Sequence, residues 1–211
     1  MRRLVACALV LVPSLAAAHR PPPPPRAPRL ARVCPAAASY AALETCLKRL
    51  GDVTIARELP HARLLHVVSR DDNDLGLALY VENAPGWHVA GVYEPRGVGY
   101  EALSLAPVTI SQHAGFRIDI GVAQHTWASL DSTRAVPVIV VARHALLCSG
   151  EQWRCAELVV ACDVLVRGAA LWTFRGSLAF GDHEALVTGD RSHGGGSCSV
   201  PERVFLAWPR P

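Results

Sequence analysis

The chain has few of several residue types. Among its 211 residues are one lysine, Lys48, and one methionine, and only 18% of the residues are charged. Arginine supplies the other basic side chains, and with abundant alanine and proline this bias indicates a bacterial, GC-rich source and not a function. After residue 18, no apolar run approaches the roughly 20 residues that a membrane-spanning helix needs. We therefore expect no membrane span in the mature chain.

Familiar catalytic and metal-binding motifs are also missing. The sequence has no Cys-x-x-Cys pair, no His-Glu-x-x-His and no Gly-x-Ser-x-Gly. These absences remove the signatures of a zinc ribbon, a thioredoxin-like redox site, a zinc protease and an α/β-hydrolase. The sequence therefore predicts no cofactor and no metal.

The first 18 residues have the three parts of a secretory signal peptide. A basic head is followed by an apolar run over residues 4–15 and by small residues that end at Ala18. We expect cleavage before His19 and a secreted or periplasmic product. A lipid-modified Cys7 is the weaker alternative, because that cysteine precedes most of the apolar run instead of following it.

Residues 19–32 are predicted to be a linker rich in proline and arginine. Five consecutive prolines, Pro21 to Pro25, favour a stiff polyproline II spacer or a solvated tail over a packed element. A proline-rich ligand for a partner domain has the same composition. From Val33 onward there are 15 basic and 18 acidic residues, so the basic excess belongs to the leader alone. We therefore expect no nucleic-acid binding, which requires a basic face.

Six cysteines remain after removal of the signal. An even number in an exported chain favours disulfides over free thiols. Local geometry suggests three pairs, although six cysteines allow 15 pairings. Cys155 and Cys162 are seven residues apart and would point to opposite faces of one strand, which leaves Cys162 for Cys198. The predicted pairs are Cys34 with Cys46, Cys148 with Cys155, and Cys162 with Cys198.

One helix is predicted near the start of the domain. Ser39 is a suitable N-cap, the segment from Ser39 to Leu50 is rich in alanine and leucine, and Gly51 stands where a helix commonly ends. Everything after Gly51 has the pattern of β-strands.

Alternation of apolar and polar residues defines the clearest strands. Phe116–Val122 and Leu75–Val81 each direct alternate apolar residues to one face, and residues 158–166 keep the same period of two. The continuous apolar run Val138–Val141 suits a strand that is covered on both faces. Turn-forming segments separate these strands. The sequence thus predicts one mostly β domain over residues 33–211, an antiparallel β-sandwich or barrel-like fold stapled by disulfides.

Three sets of polar residues resemble functional sites only superficially. Ser192–Gly196 contains a His-Gly-Gly-Gly string, but it lies late in the chain without a nucleophile elbow. Asp71–Asp74 offers oxygens without the spacing of a calcium loop. Ser104, His113 and Asp119 have the residue types of a hydrolase triad, but other combinations are equally available. We assign no catalytic and no metal-ligating residue.

The tryptophans provide the best candidate for a contact residue. Trp87, Trp172 and Trp208 lie within strand patterns and are expected in the core. Trp153 lies in a polar segment between Cys148 and Cys155, and we predict that it is exposed and binds a ligand. The function predicted from the sequence is an exported, non-catalytic module that binds a protein, a glycan or an envelope component. The alternative is a secreted hydrolase or metal-dependent enzyme that uses His183 or His193.

Overall fold

The computed structural model describes residues 29–69, 74–83, 85–94, 99–110, 113–131, 134–149, 155–181, 184–191 and 203–205. Within these ranges, neither helix has the length and apolar character needed to cross a membrane. The described elements are α1 (Arg29–Val33), β1 (Ala36–Ala37), α2 (Tyr40–Leu47), β2 (Gly51–Leu59), β3 (Ala62–Ser69), β4 (Asp74–Asn83), β5 (Gly86–Tyr93), β6 (Gly99–Ile110), β7 (His113–Asp131), β8 (Arg134–Cys148), β9 (Cys155–Val166), β10 (Ala169–Phe180), β11 (Glu184–Arg191) and β12 (Arg203–Phe205).

The strands form two antiparallel sheets. The smaller sheet has the order β1-β5-β4-β3-β2, and the larger has the order β12-β11-β10-β9-β8-β7-β6. Most neighbours in each sheet are consecutive in the chain, as expected for strands joined by short turns. The sheets are not closed into a barrel. The predicted mostly β, sandwich-like fold is therefore confirmed, and its barrel alternative is wrong.

Helix α2 begins as predicted and ends earlier. The Ser39 Oγ accepts a hydrogen bond from the Ala42 N–H at 3.2 Å, which satisfies one of the free donors of the first turn. The helix ends at Leu47, three residues before the predicted end. Gly51 is the first residue of β2 and not a helix cap. Glycine is needed at this position because a Cβ would overlap the Val68 carbonyl of the neighbouring strand.

Helix α1 was not predicted, and it lies in the segment that the sequence indicated as linker. Its Leu30 is fully buried in a cluster with Leu43 and Leu47 of α2. Burial of a leucine contributes about 2 kcal/mol, which favours docking of this short helix onto the domain. Helix α1 therefore packs with the domain, although most of it lies in the predicted linker.

The five-stranded sheet is covered on both faces. One face packs against the helices through Leu65, Val67, Ala78 and Tyr80, which we call the helix-side core. The other face packs against the seven-stranded sheet, in an inter-sheet core that includes residues such as Leu64, Leu77, Leu79, Ile118, Ile120 and Leu146. The apolar alternation predicted over Leu75–Val81 thus describes only one of two buried faces.

Strand β8 is covered on both faces, but not where the sequence indicated. Val141 is 42% exposed, so the run Val138–Val141 is not buried on both sides. Burial on both sides occurs farther along β8, where Ala145 and Leu147 join a third core of β8–β11. There Leu146, between them, belongs to the inter-sheet core.

Two of the three predicted disulfides are present. Cys34 bonds to Cys46, and Cys148 bonds to Cys155. Cys162 is a buried disulfide cysteine, and its predicted partner, Cys198, lies outside the described residues. These bonds indicate an oxidising compartment. The signal peptide and most of the linker lie outside the described residues, so they stay predictions.

Candidate binding surfaces

A pocket of about 500 Å³ opens at one end of the five-stranded sheet. One wall is β1 with the residue that follows it, and the other is the end of β4 with Pro85 and the start of β5. The volume lies within the range of small-ligand sites. The pocket is lined by Ala36, Ala37, Ala38, Asn83, Pro85, Gly86, Trp87 and His88.

The lining is apolar with a polar rim. The Asn83 Nδ2 and the His88 Nε2 are 3.5 Å apart on neighbouring strands. Trp87 is only 5% exposed, because its ring packs edge-on against Tyr40 at a centroid distance of 5.6 Å. Gly86 is needed beside β1, since a Cβ there would overlap the Ala37 carbonyl. Close approach of two backbones is what shapes this pocket.

The Arg63 side chain stacks against the rings of Tyr40 and Trp87. The Arg63 guanidinium lies 3.9 Å from the centroid of the Tyr40 ring and 5.2 Å from that of Trp87. Its other partner is Glu58, at 2.8 Å. Burial raises the pKa of Tyr40, while Arg63 opposes that rise. These contacts hold the aromatic pair in place from the side of the sheet where the helices pack.

The wall formed by β1 is anchored at its N-terminal side. Cys34 is joined to α2 by its disulfide, and its carbonyl accepts a hydrogen bond from the Tyr80 hydroxyl at 2.8 Å. The Val89 N–H donates to the Pro35 carbonyl at 2.9 Å. The pocket wall is therefore tied to both the helices and the sheet.

A second surface surrounds Trp127, which is 70% exposed. It is the most exposed large hydrophobic residue in the described part of the chain. Trp127 lies directly opposite Pro137 on β8, and His125 lies opposite Ile139. Residues at these positions share one face of the sheet. We call these four residues, together with Val141, which is 42% exposed, the Trp127 surface.

Trp127 lies where the strands of the larger sheet end at different positions. Strand β6 pairs with β7 only as far as Ala123, and β9 pairs with β8 only as far as Val138. Residues 127–131 and 134–137 therefore form a two-stranded ribbon beyond the rest of the sheet. A ribbon without a third strand leaves Trp127 little to pack against.

Trp127 was not predicted from the sequence, although a signal for it exists. Apolar alternation on β7 stops at Val122, and Gln124 and Thr126 then occupy the positions that would continue it. A strand that continues after its apolar face has ended is leaving the core. The predicted contact residue, Trp153, lies outside the described residues, as does Trp208. Trp87 and Trp172 are buried as predicted.

The residues of the possible triad do not assemble. The Ser104 Oγ donates to the Asp119 Oδ2 at 2.7 Å, and the Arg117 guanidinium holds the other carboxylate oxygen at 2.8 Å. His113 is six residues before Asp119 on the same strand, about 20 Å away at the strand rise. The aspartate is thus an ion-pair partner of Arg117, and the backbone position of His113 lies far from it along β7.

Other ionisable side chains meet near the inter-sheet core. The Tyr100 ring packs edge-to-face against the rings of His66 and Tyr93, with centroid distances of 5.5 Å and 5.8 Å. The His144 Nδ1 pairs with Glu157. Burial, with a smaller contribution from Glu157, raises the pKa of Tyr93 to about 12. Within the described residues, no three His, Cys, Asp or Glu side chains form a group that could hold a metal.

Several segments singled out from the sequence lie outside the described residues: Asp71–Asn73 of the acidic segment, His183, and the string Ser192–Gly196 with His193. Comparisons with protein-family models, with curated proteins and with solved structures give no match. The two surfaces are therefore interpreted from their own chemistry.

Proposed function

We propose that this chain is an exported, non-catalytic binding module that attaches to glycan through the Trp127 surface. The observation that carries the proposal is the 70% exposure of Trp127 on a ribbon that extends beyond the sheet. Burying a tryptophan is a large source of stability, so an exposed one contributes little to folding. Exposed tryptophans are, however, among the residues that contribute most to binding.

The neighbours of Trp127 favour a sugar polymer over a charged partner. Pro137 and Ile139 extend an apolar strip beside the indole, and His125 supplies a hydrogen-bonding group on the same face. Asp163 lies opposite Val141 and pairs with Arg175 at 2.8 Å, so these two charges satisfy each other. Arg143 is an exposed cation farther along the same face of β8. An apolar strip beside a hydrogen-bonding imidazole matches the C–H faces and hydroxyls of pyranose units.

The pocket chemistry also favours binding over catalysis. The described residues that line it include no serine, threonine, cysteine, lysine or carboxylate. Covalent catalysis needs a nucleophile beside a base and a group that orients the base, and His88 is the one such side chain among the described residues of this lining. The hydrolase alternative depends on His183 or His193, and no contact among the described residues favours it.

The test is retention on insoluble polysaccharide. The full chain, exported to an oxidising periplasm, is incubated with chitin, with cellulose and with purified bacterial cell walls. We expect Trp127→Ala to reduce retention at least about tenfold, as for a central aromatic contact, and Trp127→Phe to retain part of the binding. Leu171→Ala is the matched control, because Leu171 is a 55% exposed apolar residue outside the Trp127 surface.

Three results would overturn the proposal. The first is an unmodified chain that none of the three polysaccharides retains. The second is equal retention of the Trp127→Ala variant and the unmodified chain. Equal losses for Trp127→Ala and Leu171→Ala would show nonspecific adhesion and would also count against it. Soluble sugar released during the incubation would favour the hydrolase alternative.

A further inference from the structure

The geometry of the pocket points to a second binding site, and we propose that it takes one uncharged sugar ring, such as the terminal residue of a glycan chain. The pocket lies on the five-stranded sheet, whereas Trp127 lies on the seven-stranded sheet. The inference goes beyond the proposed function and does not depend on Trp127.

The inner wall of the pocket fits the apolar face of a sugar ring. Ala36, Ala37 and Ala38 have the smallest side chains that still present carbon, so a ring can approach the backbone of β1 closely. Trp87 and Pro85 add apolar surface on the opposite side. The C–H groups on one face of a pyranose ring can be buried against such surfaces with favourable transfer free energy.

The rim of the pocket fits the hydroxyl groups of the same ring. A sugar hydroxyl both donates and accepts hydrogen bonds, and it needs partners that can do either. The Asn83 amide and the His88 imidazole have this property, and their nitrogens are 3.5 Å apart. A pair at this spacing can reach two adjacent hydroxyls of one ring.

The charge of the lining selects against ionic ligands. Among the described residues, no lysine, arginine, aspartate or glutamate lines the pocket. A carboxylate or ammonium group bound there would lose its hydration without gaining an ion-pair partner, which carries a large penalty. Neutral sugars avoid that penalty, whereas uronic acids and sugars with a free amino group do not.

The pocket is also held open before the ligand arrives. The disulfide between Cys34 and Cys46 and the hydrogen bond from Tyr80 to the Cys34 carbonyl fix the chain that enters β1. Gly86 keeps the opposite wall within backbone contact of Ala37. A pre-formed site loses less conformational entropy on binding than a flexible one.

The experiment is an NMR titration of the full exported chain, labelled with 15N. The probes are N-acetylglucosamine and methyl glucoside as neutral sugars, with glucuronic acid and glucosamine as charged counterparts. We expect saturable shifts at the Asn83 side-chain amide and at the Trp87 indole N–H for a neutral sugar. We expect at least about tenfold weaker binding of its charged counterpart, and about tenfold weaker neutral-sugar binding in Asn83→Ala.

A second pair of variants separates the pocket from the fold. Ala38→Trp fills the pocket from an exposed position and should abolish the saturable shifts. Ala41→Trp introduces the same side chain at an exposed position of α2 outside the pocket and should leave them unchanged. The remainder of each spectrum reports whether the variant is folded.

The proposal is overturned if no neutral sugar produces saturable shifts, if glucuronic acid binds as tightly as the neutral probes, or if Ala41→Trp and Ala38→Trp act alike. Loss of polysaccharide retention in Trp127→Ala with intact pocket shifts would leave this proposal standing. Intact retention with absent pocket shifts would overturn it without affecting the proposed function.

Discussion

The hydroxyl of Tyr80 donates a buried hydrogen bond to the main-chain carbonyl of Cys34, 46 residues earlier in the sequence. Tyr80 is fully buried in β4, and Cys34 carries the disulfide to α2. One hydrogen bond therefore connects the central strand of the smaller sheet to the segment that leads into the pocket wall.

Removing this hydroxyl should destabilise the domain. Tyr80→Phe leaves the Cys34 carbonyl without its donor while keeping the ring, and we expect a loss of about 1–2 kcal/mol in the free energy of unfolding. Urea denaturation measured with the disulfides intact tests this value. An unchanged midpoint would mean that the Cys34 carbonyl finds another donor at no cost.

The domain should lose stability in strongly alkaline solution. Burial raises the pKa of Tyr80 above its ordinary value and that of Tyr93 to about 12. Both phenols keep their protons in the folded state at pH values where the unfolded chain, with a phenol pKa near 10, loses them. The stabilising contribution is complete below about pH 10 and is lost as the pH rises from there through the folded pKa.

The variant Tyr93→Phe isolates one of these contributions. Between pH 10 and pH 12 it should reduce the decline in unfolding free energy by up to about 1.4 kcal/mol per pH unit. Chemical denaturation at several pH values measures the slope. Identical slopes for the variant and the unmodified chain would show that Tyr93 titrates normally in the folded state.

The disulfide between Cys148 and Cys155 lies against Gly91 of the smaller sheet. A Cβ at Gly91 would overlap both sulfur atoms, so we expect Gly91→Ala to cost about 1–3 kcal/mol. The cost should shrink when both cysteines are replaced by alanine, because the two sulfurs are then absent. A double-mutant cycle based on unfolding free energies measures this coupling.

The control for that cycle is Gly121→Ala. The nearest atoms to a Cβ at Gly121 belong to Leu103 at 3.7 Å, an ordinary contact distance. It should show no coupling to the same pair of cysteines. If Gly91→Ala costs equally with and without the disulfide, the strain comes from the backbone and not from the sulfurs.

The export prediction is tested by mass. A chain produced with its full leader in an oxidising periplasm should begin at His19 and should have no thiol available to alkylation. Denaturing mass spectrometry with and without an alkylating reagent measures both properties. A product that keeps Met1 and reacts at its cysteines would contradict export and the disulfides together.

Local features were the most accurately predicted from the sequence. The Ser39 cap of α2 could be predicted because the hydrogen bond that it accepts from the Ala42 N–H spans only three residues. Cys34 with Cys46 and Cys148 with Cys155 are 12 and 7 residues apart, so neighbouring elements bring each pair together. Gly51 was wrongly predicted to end the helix. Glycine is needed there because the Val68 carbonyl of the adjacent strand leaves no room for a side chain, and no local pattern shows that contact.

The sequence by itself determined the secondary structure and the bonding chemistry of this protein. Apolar alternation, turn residues and paired cysteines all act over short stretches of chain, and they specified a disulfide-bonded β domain. Only the tertiary structure decided what covers each face. Alternation separates Leu77 from Ala78, but it cannot show that a second sheet covers one and helices cover the other. Nor can it show that β7 continues beyond its neighbour or that the face of Trp127 is exposed, because these depend on where separate strands end and on what covers each face.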